Sequence, residues 1–177
     1  MNSKKKGNRF ELKVSKWFTR WSGFKFERVP MSGAWHSNRD ATSDITCVDP
    51  KHQYKCILSV ECKSYKDIKF EHVLLGNKNC DILKFWDQAI KDANRSNKIP
   101  ILCMRYNSMP RDEFFFVISA SHLVLAFSSL MSCNYITINI PGEVLMVFKA
   151  SDVINKTNYL EFHKELRKQI ISQKSRQ

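Results

Sequence analysis

No run of apolar residues here approaches the ~18 needed to span a bilayer, so a membrane-spanning protein is not expected. The amino terminus reads Met1-Asn2-Ser3-Lys4-Lys5-Lys6 with no hydrophobic segment behind it, which argues against a signal peptide. Cysteines occur at 47, 56, 62, 80, 103 and 133, but with no C-x-x-C and no Cys/His pairing at zinc spacing. Cys47, Cys62 and Cys103 fall inside apolar, strand-like runs, where a thiol packs as a small hydrophobe. Reduced thiols in a cytoplasmic protein are therefore expected, rather than disulfides or metal ligands. There is no internal repeat, no low-complexity segment and no linker that would divide the 177 residues. One domain, 1–177, is expected, long enough to bury a real core. Acids are scarce: 17 against 29 basic residues, a net charge of +12. Such an excess favours polyanions, nucleic acid first and an anionic membrane second. An apolar content of 43%, with 12% aromatic, excludes global disorder.

What is present sorts into helices and strands. Phe10, Val14, Trp17, Phe18 and Trp21 form the i, i+4, i+7, i+8, i+11 stripe of a helix over 8–22, with Gly23 as its stop. Glu11 lies about 100° from Phe10, near the edge of the buried face. Lys4, Lys5, Lys6 and Arg9 make a basic lead-in suited to phosphate, with a solvated tail as the competing reading. Strands are predicted over 24–29, 43–48 and 56–63, the last two joined through Asp49 to Lys55 as a hairpin-like pair. A polar loop, a helix over 80–96 with Ile82, Trp86, Ala89 and Ala93 on one stripe, and a strand over 101–106 follow. The C-terminal third reads as a strand over 113–118 and a helix over 119–131 capped by Ser119 or Ser121. A hairpin of 135–140 with 143–148 around Pro141-Gly142 and a basic helix over 158–171 complete it. The order implies an α/β fold with sheet and helices in layers. His36, His52 and His72 fall in loops and are read as solvated.

The chemistry concentrates in Leu58-Ser59-Val60-Glu61-Cys62-Lys63-Ser64. Side chains alternate along a strand, so Glu61 and Lys63 project from the face opposite Leu58, Val60 and Cys62. An acid and an amine on one exposed rim, facing Asp44 from the neighbouring strand, suit a divalent metal beside a phosphate. An acid, any residue, then Lys occurs four times, at Glu11, Asp49, Glu61 and Asp67. Only the copy at Glu61 sits in a period-2 apolar run with a strand-borne acid ahead of it. An ion pair on an edge strand is the competing reading.

These segments resemble the PD-(D/E)xK nuclease superfamily, and most closely the phage and archaeal-type Holliday junction resolvases. The resemblance is carried by Lys6-Gly7-x-x-Phe10-Glu11, Val29-Pro30-x-Ser32-Gly33, Ser43-Asp44-Ile45, Ser59-Val60-Glu61-Cys62-Lys63 and Phe85-Trp86-Asp87-Gln88-Ala89. It covers roughly residues 6–106, leaving 107–177 as a C-terminal extension of the same domain. Ser43 stands where the family often has Pro or Gly. The resemblance implies a restriction-endonuclease-like central mixed β-sheet flanked by helices. It also implies a homodimer and Mg²⁺-dependent hydrolysis of DNA phosphodiesters, with Mn²⁺ able to substitute, and no organic cofactor.

By position in the motifs, Asp44 and Glu61 would be metal ligands, with Glu11 completing the shell. Lys63 would orient or deprotonate the attacking water, Gln88 would hold a phosphate or water, and Ser32 would touch the scissile region. Lys4, Lys5, Lys6, Arg9 and Ser32 would contact DNA. Branched double-stranded DNA is the implied substrate. The alternatives are a restriction- or repair-type enzyme on linear duplex and a non-catalytic DNA-binding module. Asn and Lys richness suits an AT-rich genome, so a phage-encoded protein working in the host cytoplasm is expected.

Overall fold

A computed structural model describes residues 3–29, 43–77, 80–123 and 126–174. Its centre is a seven-stranded mixed sheet in the order β1-β2-β3-β4-β5-β7-β6. The strands are β1 (Phe26–Arg28), β2 (Ile45–Cys47), β3 (Leu58–Tyr65), β4 (Ile99–Tyr106), β5 (Phe115–Ser119), β6 (Tyr135–Ile140) and β7 (Glu143–Lys149). Only β3 and β4 run parallel, paired from Leu58↔Ile99 to Tyr65↔Tyr106. Their connection carries α2 (Glu71–Leu74) and α3 (Asp81–Ser96), as a parallel pair requires a crossover. This is the expected α/β fold, a mixed sheet with helices on its faces.

Two apolar layers, one per sheet face, follow from period-2 alternation. On one face Phe10, Val14, Trp17, Phe18 and Trp21 of α1 (Ser3–Ser22) pack against Ile45, Val60, Cys62, Ile101 and Cys103. On the other, Ile82, Phe85, Trp86 and Ala89 of α3 pack against Leu102, Met104, Val117 and Val147. Successive β4 residues thus serve opposite layers, and β3 does the same.

The stripe expected of the first helix is fully buried, but α1 begins at Ser3 rather than 8. The basic lead-in is therefore its first turn, not a tail. The Lys6 ammonium holds that turn in place, donating to the Tyr65 carbonyl at 2.9 Å and to the Asn107 side-chain carbonyl. Gly23, at φ +75°, ends α1 as expected.

The last third departs most from expectation. The helix expected over 119–131 is a 3₁₀ turn, Ala120–His122, followed by the one-turn α4 (Phe127–Leu130). Serines divert the local hydrogen bonding. Ser119 Oγ accepts from the Ser121 amide, and Ser128 and Ser129 donate to Glu165 at 3.2 and 2.6 Å. The hairpin at Pro141-Gly142 is present, with Gly142 at φ +80°. Two further helices close the chain, α5 (Ala150–Lys156), absent from the sequence reading, and α6 (Tyr159–Lys174). Trp17 Nε1 donates to the Ala150 carbonyl at 3.2 Å and Trp21 Nε1 to Thr157 Oγ1 at 3.0 Å. Residues 107–174 thus complete the sheet and the core around α1.

Candidate active site

β3 is an interior strand, flanked by β2 and β4. That removes the edge-strand alternative for the Glu61–Lys63 pair. It also corrects the expectation of an exposed rim: α3 covers this face, and the Glu61 side chain is only 4% exposed. Alternation still holds. Val60 and Cys62 belong to the α1 layer, while Glu61 and Lys63 pair in register with Leu102 and Met104, whose side chains pack under α3.

Asp44 arrives from the antiparallel neighbour. Its amide donates to the Val60 carbonyl at 3.0 Å and its Oδ2 accepts from the Cys62 amide at 2.8 Å. The backbone of β3 thereby fixes this carboxylate beside Glu61. The Lys63 ammonium bridges the next gap, reaching Glu61 Oε1 at 2.6 Å and Gln88 Oε1 of α3 at 2.8 Å. It also stands 5.9 Å from the centre of the Phe85 ring. Asp44, Glu61, Lys63 and Gln88, from three elements, therefore converge as the motifs suggested.

One carboxylate in this group was not anticipated. Asp92, one helical turn beyond Gln88, is 8% exposed, hydrogen-bonds Gln88, and pairs with Arg95 at 3.1 Å. Its i+4 spacing from Gln88 was the available signal. Glu11 projects from α1 and is held by the Arg28 guanidinium, which also donates to Asn8 Oδ1 at 3.0 Å. Its charge acts on the Cys62 thiol. Ser32 lies outside the described residues, as do Pro30, Gly33 and His36. Lys5 and Arg9 are exposed on α1 and Lys4 is in its first turn. His72 sits half-buried on α2 instead of in a loop. His52, read as solvated, is buried.

The electrostatics show a site short of positive charge. Burial, then the neighbouring Asp44 charge, pushes the Glu61 carboxyl up to about 8, against the pull of Lys63. Burial likewise raises Asp92, with Arg95 opposing it. At Lys63 burial favours the neutral amine, but the Glu61 carboxylate outweighs it and the ammonium is raised. Carboxylates that repel one another in a recess of low polarity are stabilised by a cation. Asp44 and Glu61 offer the hard oxygen donors that a divalent ion of the Mg²⁺ class takes.

Among the described residues no helix is long and apolar enough to cross a membrane. No solved structure matches this chain. Protein D14 of Escherichia phage T5 is 25% identical over 139 residues, which span 78% of this chain and 83% of that protein. A family model described as "Phage putative PDDEXK endonuclease" matches residues 2–172. With that match over nearly its whole length, the chain belongs to the phage PD-(D/E)xK endonuclease family and is a nuclease.

Proposed function

We propose that this nuclease hydrolyses phosphodiester bonds of branched DNA, four-way junctions above all, using Mg²⁺, or Mn²⁺ in its place. The observation that carries the reading is the convergence of Asp44, Glu61, Lys63 and Gln88 under α3. Asp44 and Glu61 would hold the ion, with Glu11 as an outer acid behind them. When bound, the ion supplies compensation for charge on the phosphate and lowers the pKa of a bound water.

The chain's own groups supply the rest. The Cys62 amide fixes the Asp44 carboxylate, so one ligand is in place before any ion arrives. Lys63, held charged by Glu61, presents an ammonium to the scissile phosphate, and Gln88 keeps it directed into the recess. That charge state favours Lys63 as an electrostatic partner of phosphate and water over a base. Asp92 orients Gln88 from one turn away. Lys6 and Arg105 stand at the ends of β3 and β4, beyond Lys63, where a DNA backbone could cross. Lys4, Lys5 and Arg9 would extend this basic surface along α1, and Ser32 would approach the scissile region.

Two strands of a junction must be cut nearly together, which a two-fold homodimer with one site per protomer achieves. The setting for this work is the cytoplasm of an infected host. Cleavage of a four-way junction and of a matched linear duplex, in competition and with sedimentation of the enzyme, tests the reading. A dimer binding the junction at least about tenfold more tightly, ~1.4 kcal/mol, is expected. A monomer cutting linear duplex at one short sequence would replace it with the restriction-type reading.

A further inference from the structure

At the start of β3, away from Glu61 and Lys63, two pairs of side chains with the same spacing face each other. After β2 the chain makes one helical turn: the His52 and Gln53 amides donate to the Asp49 carbonyl at 3.0 and 2.8 Å, and the Cys56 amide to the His52 carbonyl at 2.9 Å. Residues four apart on such a turn share a side, so His52 and Cys56 point together. In α6, Tyr159 and His163 are also four apart. The pairs interlock: His52 Nε2 is 2.9 Å from the Tyr159 hydroxyl, and His163 Nε2 accepts from the Ile57 amide at 3.4 Å. A ring nitrogen of each histidine and the Cys56 sulfur lie within 4.8 Å of one another, and all three residues are buried. A fourth donor adjoins them, the buried thiol of Cys47 at the end of β2, hydrogen-bonded to Cys56.

We propose that Cys47, His52, Cys56 and His163 form a structural zinc site of the Cys₂His₂ class. Two thiols and two imidazoles are the borderline-soft donors that zinc selects, and four protein ligands make a closed, non-catalytic centre. Thiolate–zinc and imidazole–zinc bonds of about 2.3 and 2.0 Å require the His52, Cys56 and His163 donors, now within 4.8 Å of one another, to draw in by roughly an ångström, with Cys47 following through its hydrogen bond to Cys56. With His52 Nε2 engaged by the Tyr159 hydroxyl, its Nδ1 is the nitrogen left for the ion, and Tyr159 orients the ring as outer partners of metal-bound histidines do.

The ion would tie the β2–β3 turn to α6, joining elements 107 residues apart at His52 and Tyr159. Cys56 precedes Glu61 by five positions of extended chain, about 17 Å, so this centre is separate from the carboxylate recess. In the sequence these ligands fall at no familiar zinc spacing, and the fourth comes from the far end of the chain.

Metal analysis of the purified full chain, with Co²⁺ exchange, tests the proposal. About one tightly held zinc per chain is expected, and Co²⁺ should show a thiolate-to-metal band with the visible absorption of a tetrahedral ion. Cys56→Ser and His163→Ala should lose both signals, whereas Cys133→Ser, a buried cysteine elsewhere, should keep them. Because those variants could fail to fold, the unmodified protein supplies a second readout. A strong chelator should lower its Tm by on the order of 10 °C, restored by zinc and not by Mg²⁺. A chain that retains no zinc, shows no thiolate band and melts unchanged with chelator overturns the proposal. A Cys47–Cys56 disulfide in the purified protein in place of the ion overturns it equally.

Discussion

The two ends of β3 make opposite chemistry from one strand. Toward Tyr65, Asp44, Glu61 and Asp92 gather hard oxygens in a recess that Lys63 only partly neutralises. Toward Leu58, His52, Cys56 and His163 gather nitrogen and sulfur in a packed, buried cluster. The first end leaves Lys63 18% exposed, within reach of a ligand. At the second, aromatic rings close the cluster: Phe24 stacks on His52 at 4.2 Å and Tyr159 on His163 at 5.5 Å between ring centres. The difference lies in what covers the strand. At one end α3 brings Gln88 and Asp92 over it, and at the other α6 brings Tyr159 and His163. A strand offers alternating positions, and the element packed on each decides whether they become an open charged site or a sealed one.

The largest expected effect is catalytic and falls at the open end. Asp44→Asn, Glu61→Gln and Lys63→Ala should each lower metal-dependent cleavage by roughly 10³-fold or more in single-turnover assays, since the first two remove carboxylates that would hold the ion and the third removes a cation facing the reacting phosphate. Near-normal cutting by Lys63→Ala would show that the open end is not the active site. The Tm of each variant beside that of the unmodified protein serves as the control for folding.

Salt should separate the ends next. If about six phosphates are contacted by the basic surface around Lys6 and Arg9, affinity for DNA should fall by ~10³-fold between about 50 and 200 mM salt. A flat response in a filter-binding or fluorescence titration would mean that the charge of +12 serves something other than DNA. Metal retention at the sealed end should not respond to salt at all.

A smaller effect concerns protons. Glu61 is pushed up to about 8, chiefly by burial, so an ion at the open end must displace its proton. The Mg²⁺ concentration giving half-maximal cleavage should therefore rise as pH falls below about 8, by at most about tenfold per unit. Constant metal demand from pH 6 to 8 would mean that Glu61 is not a ligand.

The smallest is a stability difference without metal. The folded carboxyl titrates near 8 and the unfolded one near 4.5. Its contribution is thus fully present below about 4.5 and is lost as pH rises to about 8. Between pH 5 and 8.5 the Tm of the unmodified protein should fall by at least about 2 °C more than that of Glu61→Gln, the smallest shift that roughly 1 kcal/mol produces in a chain of this size. Parallel melting curves for the two would show that Glu61 titrates normally.

The sequence itself determined which face each residue takes. The stripe from Phe10 to Trp21 could only be a buried helix face, and alternation over Leu58–Lys63 put Glu61 and Lys63 together, opposite Val60 and Cys62. Periodicity is a local property, so these readings survive folding, as do the hairpin at Gly142 and the stripe of α3. Local pattern does not say what covers a face. That β3 is interior, that Glu61 is buried and titrates high, and that Asp92 joins it were decided when α3 crossed over the sheet. The break of the 119–131 segment depended on serine partners as distant as Glu165. The meeting of His52 and Cys56 with His163 is more remote still. Four-residue spacing places each pair on one side of its own turn, but only the docking of α6 against the β2–β3 turn brings the two pairs face to face.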